Sequence, residues 1–210
     1  MNKFKNKILP QIAIIYTRYL VGGAFVFASL IKIKGSRFTS ESGELSAINS
    51  ASHYFETMYQ SGLYWKFIGV SQLIAGFFLM TQKFSKLGAI VNLPIVVNIL
   101  IITLSYDFAY TPIVTGFMLL ANLLLIMWDW NEIKILFNLT PTIDKGFRLE
   151  KDFVWQIIGL ILFVYTFFYR LVIDRYNILF WASTFFLLGF TGLIIGLYKE
   201  RRRKSKKIII

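Results

Sequence analysis

The sequence predicts an all-α, polytopic membrane helix bundle, and three observations predict it. Six apolar runs each hold about 20 residues, the length that crosses ~30 Å of hydrocarbon. Charged residues make up 16% of the chain and hydrophobic residues 56%, where soluble domains carry about 25% and 45–50%. The basic residues behind the net charge of +12 flank the apolar runs and form no stripe on a soluble fold. That placement points to lipid headgroups as partners and away from nucleic acid. With no water in the bilayer core, each run must satisfy its own backbone amides, so each is a helix.

The first run follows Lys3, Lys5 and Lys7, and Pro10 stands where a helix can begin. A charged start before an apolar stretch also describes a secretory leader. Gln11–Ile33 is longer than a leader's apolar core, contains Arg18 and lacks a small-x-small cleavage site, so it reads as a retained span. Lys34–Gly62 is a Ser- and Gly-rich outer loop, whose second half, Ala51–Ser61, is expected to form a short interfacial helix. Tyr64 and Trp65 then sit where aromatic rings anchor a helix at headgroup level.

Three spans follow in close succession. Leu63–Gln82 ends at Lys83, and Lys86–Tyr106 begins after a turn of a few residues. A third starts at Thr111 and stops at Trp130. Asn131–Asp152 is a polar connection with Pro141 and Gly146. Phe153–Ile173 and Asn177–Tyr198 are the last two runs, joined by the short turn Asp174–Arg175–Tyr176 and followed by a basic tail. The domain expectation is therefore a four-helix unit over residues 1–137 and a connection over 138–152. Two further helices occupy 153–198, and a basic tail 199–210.

Alternate loops differ in charge. Sixteen of the 23 Lys and Arg residues fall at the N-terminus, in the loops after the second, fourth and last spans, and in the tail; five fall in the opposite set. Basic residues favour the cytoplasmic side, so both termini are expected there.

The chain has no cysteine, which excludes disulfides, thiolate metal sites and dithiol relays within it. One histidine, His53, makes no metal-ligand spacing. It sits outside with Lys32, Lys66 and Glu56, where these residues surround an entrance between the first two spans or are simply solvated. Asp107 and Asp129 lie at span ends, where a carboxylate can stay solvated, and they are assigned no catalytic role.

The candidate site is a polar layer inside the helices. Gln11, Arg18, Gly22, Ser29 and Lys32 share one stripe of the first span, expected to face the bundle. Gly69, Gln72 and Gly76 share a face of the second, where small residues permit close packing and Gln72 can bond across. Arg18, Asn92 and Asn122 lie roughly 10 Å from the inner ends of their helices at 1.5 Å per residue, and Gln72 and Asn98 lie nearer the midplane. No acidic residue is expected at Arg18's depth, so Arg18 either snorkels to the inner headgroups or binds an anionic or carbonyl-bearing ligand. Pro94 frees the carbonyl of Ile90, for which Asn92, Asn98 or Arg18 is a candidate donor.

The order of these residues resembles the DoxX-like membrane family. It rests on Arg18, Gly22–Gly23, Phe25, Ala28 and Lys32, on Gly69-x-x-Gln72-x-x-x-Gly76, and on Leu87–Gly88–Ala89. Asn92–Leu93–Pro94, Asn98–Ile99–Leu100, Thr111–Pro112 and Leu120-x-Asn122 continue it, from about Ile14 to Phe137. The resemblance implies a four-helix membrane unit, some members of which are linked to quinone-coupled sulfur oxidation or to oxidoreductase complexes. The expectation is a non-catalytic subunit of the bacterial inner membrane that binds a lipophilic ligand, a quinone or a lipid, for a partner oxidoreductase. Its expected ligand set is Arg18, Gln72, Asn92, Asn98 and Asn122. The alternatives are a small transporter or lipid-handling protein acting alone, and association with further copies of itself.

Overall fold

A computed structural model describes residues 5–39, 41–142, 148–173 and 177–208, with α7 side chains as far as 198 and at 201. Lys3, Lys145, Gly146, the turn Asp174–Arg175–Tyr176 and most tail side chains lie outside the described residues. The described chain forms seven α-helices: α1 (Ile8–Ile33), α2 (Ala51–Gln60), α3 (Leu63–Met80), α4 (Ser85–Ser105), α5 (Thr111–Ile133), α6 (Phe153–Val172) and α7 (Ile178–Ile208). All except α2 are long and apolar enough to span a membrane. The protein is an all-helical bundle of the kind that sits within a bilayer.

Helix α1 is the hub. It packs on α3, α5 and α6, and 61% of its most apolar window is buried, against 17% for α7. Its expected stripe does face inward, since Gln11, Arg18, Gly22, Ser29 and Lys32 are all buried. The α1–α3 contact is backbone against backbone. A Cβ on Gly22 would stand 2.9 Å from the Gly76 carbonyl oxygen, and a Cβ on Gly76 would stand 2.7 Å from that of Gly22. Close approach of this kind lets dispersion hold helices together where lipid removes the hydrophobic drive.

Two apolar cores flank this seam. One joins Ile14, Val21 and Phe25 of α1 to Leu79, Ala89, Val96, Leu125 and Trp128, wholly within the first four spans. The other joins Ile15, Tyr19, Val26 and Leu30 to Met80, Trp155, Ile158, Leu162 and Phe185, and so docks α6 and α7. The Tyr19 hydroxyl donates to the Trp155 carbonyl, and Gly159 lets α6 ride against the carbonyl of Met80.

Helix α2 is the interfacial helix expected at Ala51–Ser61. The Ser50 side chain accepts from the His53 amide as its N-cap. Gly62, at φ +58°, makes the left-handed turn from α2 into α3. Arg37 grips Glu56 through three hydrogen bonds of 2.8–3.1 Å and fastens the outer loop to α2. Those bonds hold the Glu56 carboxyl below its ordinary range. The expected entrance residues are therefore not a set: Glu56 is buried in its ion pair, whereas Lys66 is exposed.

Helix α7 continues in one piece to Ile208. The basic stretch expected as a tail after Tyr198 is thus a helical extension of the last span.

Candidate functional site

The C-terminal ends of α3 and α5 and the turn leading into α6 meet at Arg18, midway along α1. Its side chain is completely buried. Nη2 donates to Asp129 Oδ2 at 2.7 Å, and Nη1 donates to Glu150 Oε2 at 2.5 Å and to Gln82 Oε1 at 2.9 Å. This corrects the expectation that no acid lies at Arg18's depth. Arg18 neither snorkels to headgroups nor waits for an anion, because two carboxylates of this chain neutralise it. Asp129 is likewise not a solvated helix end, being 2% exposed.

Each partner arrives from a different element. Asp129 closes the last turns of α5, Gln82 sits in the turn after α3, and Glu150 sits in the 3-10 turn Leu149–Lys151 that leads into α6. Gln82 holds φ at +59°, a left-handed backbone rare for glutamine, while its side chain faces Arg18. Around them, Arg148 Nη1 stands 4.0 Å from Asp129 Oδ1 and 3.9 Å from Glu150 Oε1. Arg148 and Lys5 lie over the Trp128 ring, at 5.6 Å and 5.5 Å from its centre. Lys5 also donates to the Trp128 carbonyl. Gln11 donates to the Lys5 carbonyl at 2.8 Å and accepts from the Leu149 amide at 2.6 Å. Burial pushes the Glu150 carboxyl up, but the charge and hydrogen bond of Arg18, with Arg148 and Lys86, outweigh it and leave it below its ordinary range.

The other residues of the expected layer are dispersed. Asn92 Nδ2 donates to Asn122 Oδ1 at 3.0 Å, and Asn122 Nδ2 donates to the Ala89 carbonyl at 3.0 Å. This is an α4–α5 clamp, and among the described residues no hydrogen bond links it to Arg18. It lies beside Pro94, through which α4 continues as helix. Among the described residues none of Asn92, Asn98 and Arg18 donates to the Ile90 carbonyl, and Asn122 donates to the carbonyl one residue before it. Asn98 is exposed on the outer face of α4. Gln72 is 3% exposed in the α1–α3 seam, and its Oε1 meets no donor among the described residues.

No family model, curated protein or solved structure matches this chain.

What the arrangement can do must therefore be read from its chemistry. Among the described residues no three His, Asp or Glu side chains converge as a metal set. Arg18 and Arg148 balance the two carboxylates of Asp129 and Glu150 in a packed environment, which makes them a structural lock. A concave surface lies elsewhere, between α1 and α7. It is a groove of about 590 Å³ lined by Tyr16, Ser183, Phe186, Leu187, Phe190 and Leu193. The Tyr16 hydroxyl, its most polar group, is already committed to the Gly189 carbonyl at 2.6 Å. The groove is nearly all apolar. Sequence reading missed it because Tyr16 and the α7 residues look like ordinary lipid-facing positions, and only the packing of two distant helices makes them one surface.

Proposed function

We propose that this protein is a non-catalytic membrane subunit that holds a lipophilic ligand, a lipid or a quinone, for a partner oxidoreductase. The observation that carries the reading is the apolar groove between α1 and α7, of the size and lining that suit a chain or ring of such a ligand. The DoxX-like resemblance supports the oxidoreductase partner, and the asymmetry of basic loops supports a bacterial inner-membrane protein with both termini cytoplasmic.

A lipid-handling protein acting alone is the second reading. It is favoured by one feature: Phe186, Leu187 and Phe190 line the groove while remaining more than half exposed, so the groove opens sideways to the acyl chains. Purification in mild detergent, with mass spectrometry of retained lipids, quinones and proteins, separates the two. A quinone together with a stable redox partner supports the first, and phospholipid alone supports the second. Phe190→Ala should reduce retention of either ligand. Retention unchanged by Phe190→Ala and Phe186→Ala overturns the groove as the site.

A further inference from the structure

The outer end of α1 holds a buried cation with no counter-charge. Lys32 is 7% exposed, and its Nζ donates to the Ala28 carbonyl of its own helix at 2.9 Å. Its other neighbours are the rings of Phe38 and Trp65, centred 5.0 Å and 5.2 Å away. Among the described residues no carboxylate lies within ion-pair distance. Glu56, the acid of the outer loop nearest in sequence to α3, is saturated by Arg37, the Gly43 amide and Gln60. The surroundings add positive charge, since the charge of Arg170 acts on Lys32 and Lys66 lies against Gly35.

A second orphan lies on α3, one turn beyond the residue that packs against Lys32. Gly69 of α3 packs so closely on α1 that a Cβ there would stand 2.9 Å from Lys32 Cβ. Gln72 follows on the same face, buried, with an acceptor oxygen that no donor among the described residues reaches. A buried ammonium without an anion and a buried carbonyl without a donor are each costly in a membrane. They ask for complementary things. An oxyanion satisfies the first and a hydroxyl hydrogen satisfies the second, and a phosphate with a hydroxyl on or beside it carries both.

We propose that the outer α1–α3 seam is a binding site for a hydroxyl-bearing phosphate, with Lys32 as the anion partner and Gln72 Oε1 as the acceptor of the hydroxyl. The site is separate from the α1–α7 groove. Entry is by way of Phe38, which is 42% exposed, whereas Trp65 is 1% exposed and fixed by its indole N–H to the Ser36 carbonyl at 2.9 Å. Gly35, at φ +68°, starts the segment that carries Phe38. The phosphate belongs either to a lipid headgroup such as phosphatidylglycerol or to free hydrogen phosphate.

Thermal unfolding of the full chain, delipidated in neutral detergent, tests this with phosphatidylglycerol, phosphatidylcholine and inorganic phosphate as probes. Wild type should be stabilised by phosphatidylglycerol and not by phosphatidylcholine. Inorganic phosphate acting as well assigns a free oxyanion, and its failure assigns the headgroup. Lys32→Met should melt higher than wild type without probe, because it removes an uncompensated charge, and should bind phosphatidylglycerol at least tenfold more weakly. Gln72→Leu should weaken binding several-fold, and Lys66→Met should not. The proposal is overturned if neither anionic probe stabilises wild type, or if Lys32→Met and Gln72→Leu respond as wild type does. It is overturned equally if Lys32→Met is less stable than wild type without probe, since the two rings and the Ala28 carbonyl then suffice for the ammonium.

Discussion

Arg18 and Glu150 are 132 residues apart in sequence and meet at 2.5 Å, tying the first span to the turn that begins the fifth. Asp129 completes the pairing from the fourth span. Breaking one partner of a buried ion pair leaves a charge stranded, at a cost of about 3–5 kcal/mol. Asp129→Asn should therefore lower stability by that order, measured by denaturant titration of the purified protein. Arg18→Met combined with Asp129→Leu, Glu150→Leu and Arg148→Met should recover most of the loss, since Arg148 would otherwise be stranded beside the removed acids. A single Asp129→Asn change within about 0.5 kcal/mol of wild type would mean that water reaches Arg18.

Glu150 gives the lock a pH dependence. Its carboxyl is held below the ordinary value of 4.5, with burial opposing Arg18 and Arg18 prevailing. A folded-state pKa below the unfolded one means that the unfolded chain takes up the proton first. Stability from this group is thus complete above pH 4.5 and declines as pH falls through that value towards the folded one. Glu150→Gln should lower stability at neutral pH and flatten the slope on the acid side. An unchanged slope in Glu150→Gln would assign the acid sensitivity to other groups.

Truncation separates the two cores. The core around Phe25 and Trp128 lies wholly within the first four spans, and the faces that α6 and α7 cover are apolar. Exposing such faces to lipid costs little, because lipid is as apolar as the side chains. The loss that matters is Glu150. A chain ending at residue 152 is expected to stay monodisperse in detergent, and one ending at residue 142 to be markedly less stable. Equal stability of the two would show that Asp129 alone suffices for Arg18.

The cysteine-free chain makes topology directly measurable. With single cysteines introduced, Asn49→Cys and Thr111→Cys should react with an impermeant maleimide on intact cells, and Ser205→Cys should react only after lysis. Labelling of position 205 from outside reverses the orientation.

The helices were legible because membrane crossing imposes a length and a composition that any window of sequence displays. Ala51–Gln60 was legible from its serine cap and its aromatic and polar mixture. The Arg18 lock was half legible. A lone arginine inside an apolar run announces that it needs a partner, but nothing local says which. Asp129 follows Trp128 at the end of a span and reads as solvated, and Glu150 stands in a polar connection among five other charged residues between 144 and 152. The usable signal was elimination: few carboxylates border the inner ends of the spans, and Arg18 needs one of them. The Asn92–Asn122 clamp was visible as two asparagines at similar depth, but their pairing with each other and not with Arg18 depends on helix rotation, which composition does not encode. Lys32 was noticed and placed in an open entrance, since the loop that covers it carries no pattern that marks it as a cover.

The span of sequence between Arg18 and its acids also sets a timetable for biogenesis. Helix α1 leaves the ribosome before either acid, carrying a guanidinium whose insertion alone costs about 2.5–3.5 kcal/mol. Asp129 and Glu150 are synthesised 111 and 132 residues later. At about 5–20 residues per second that delay is on the order of ten seconds. During that interval α1 has neither acid beside it, so the insertion machinery or lipid headgroups must shelter Arg18 until the fourth span arrives. The nascent chain is at its most vulnerable to quality-control proteolysis in that window, before its most buried charge has met either acid.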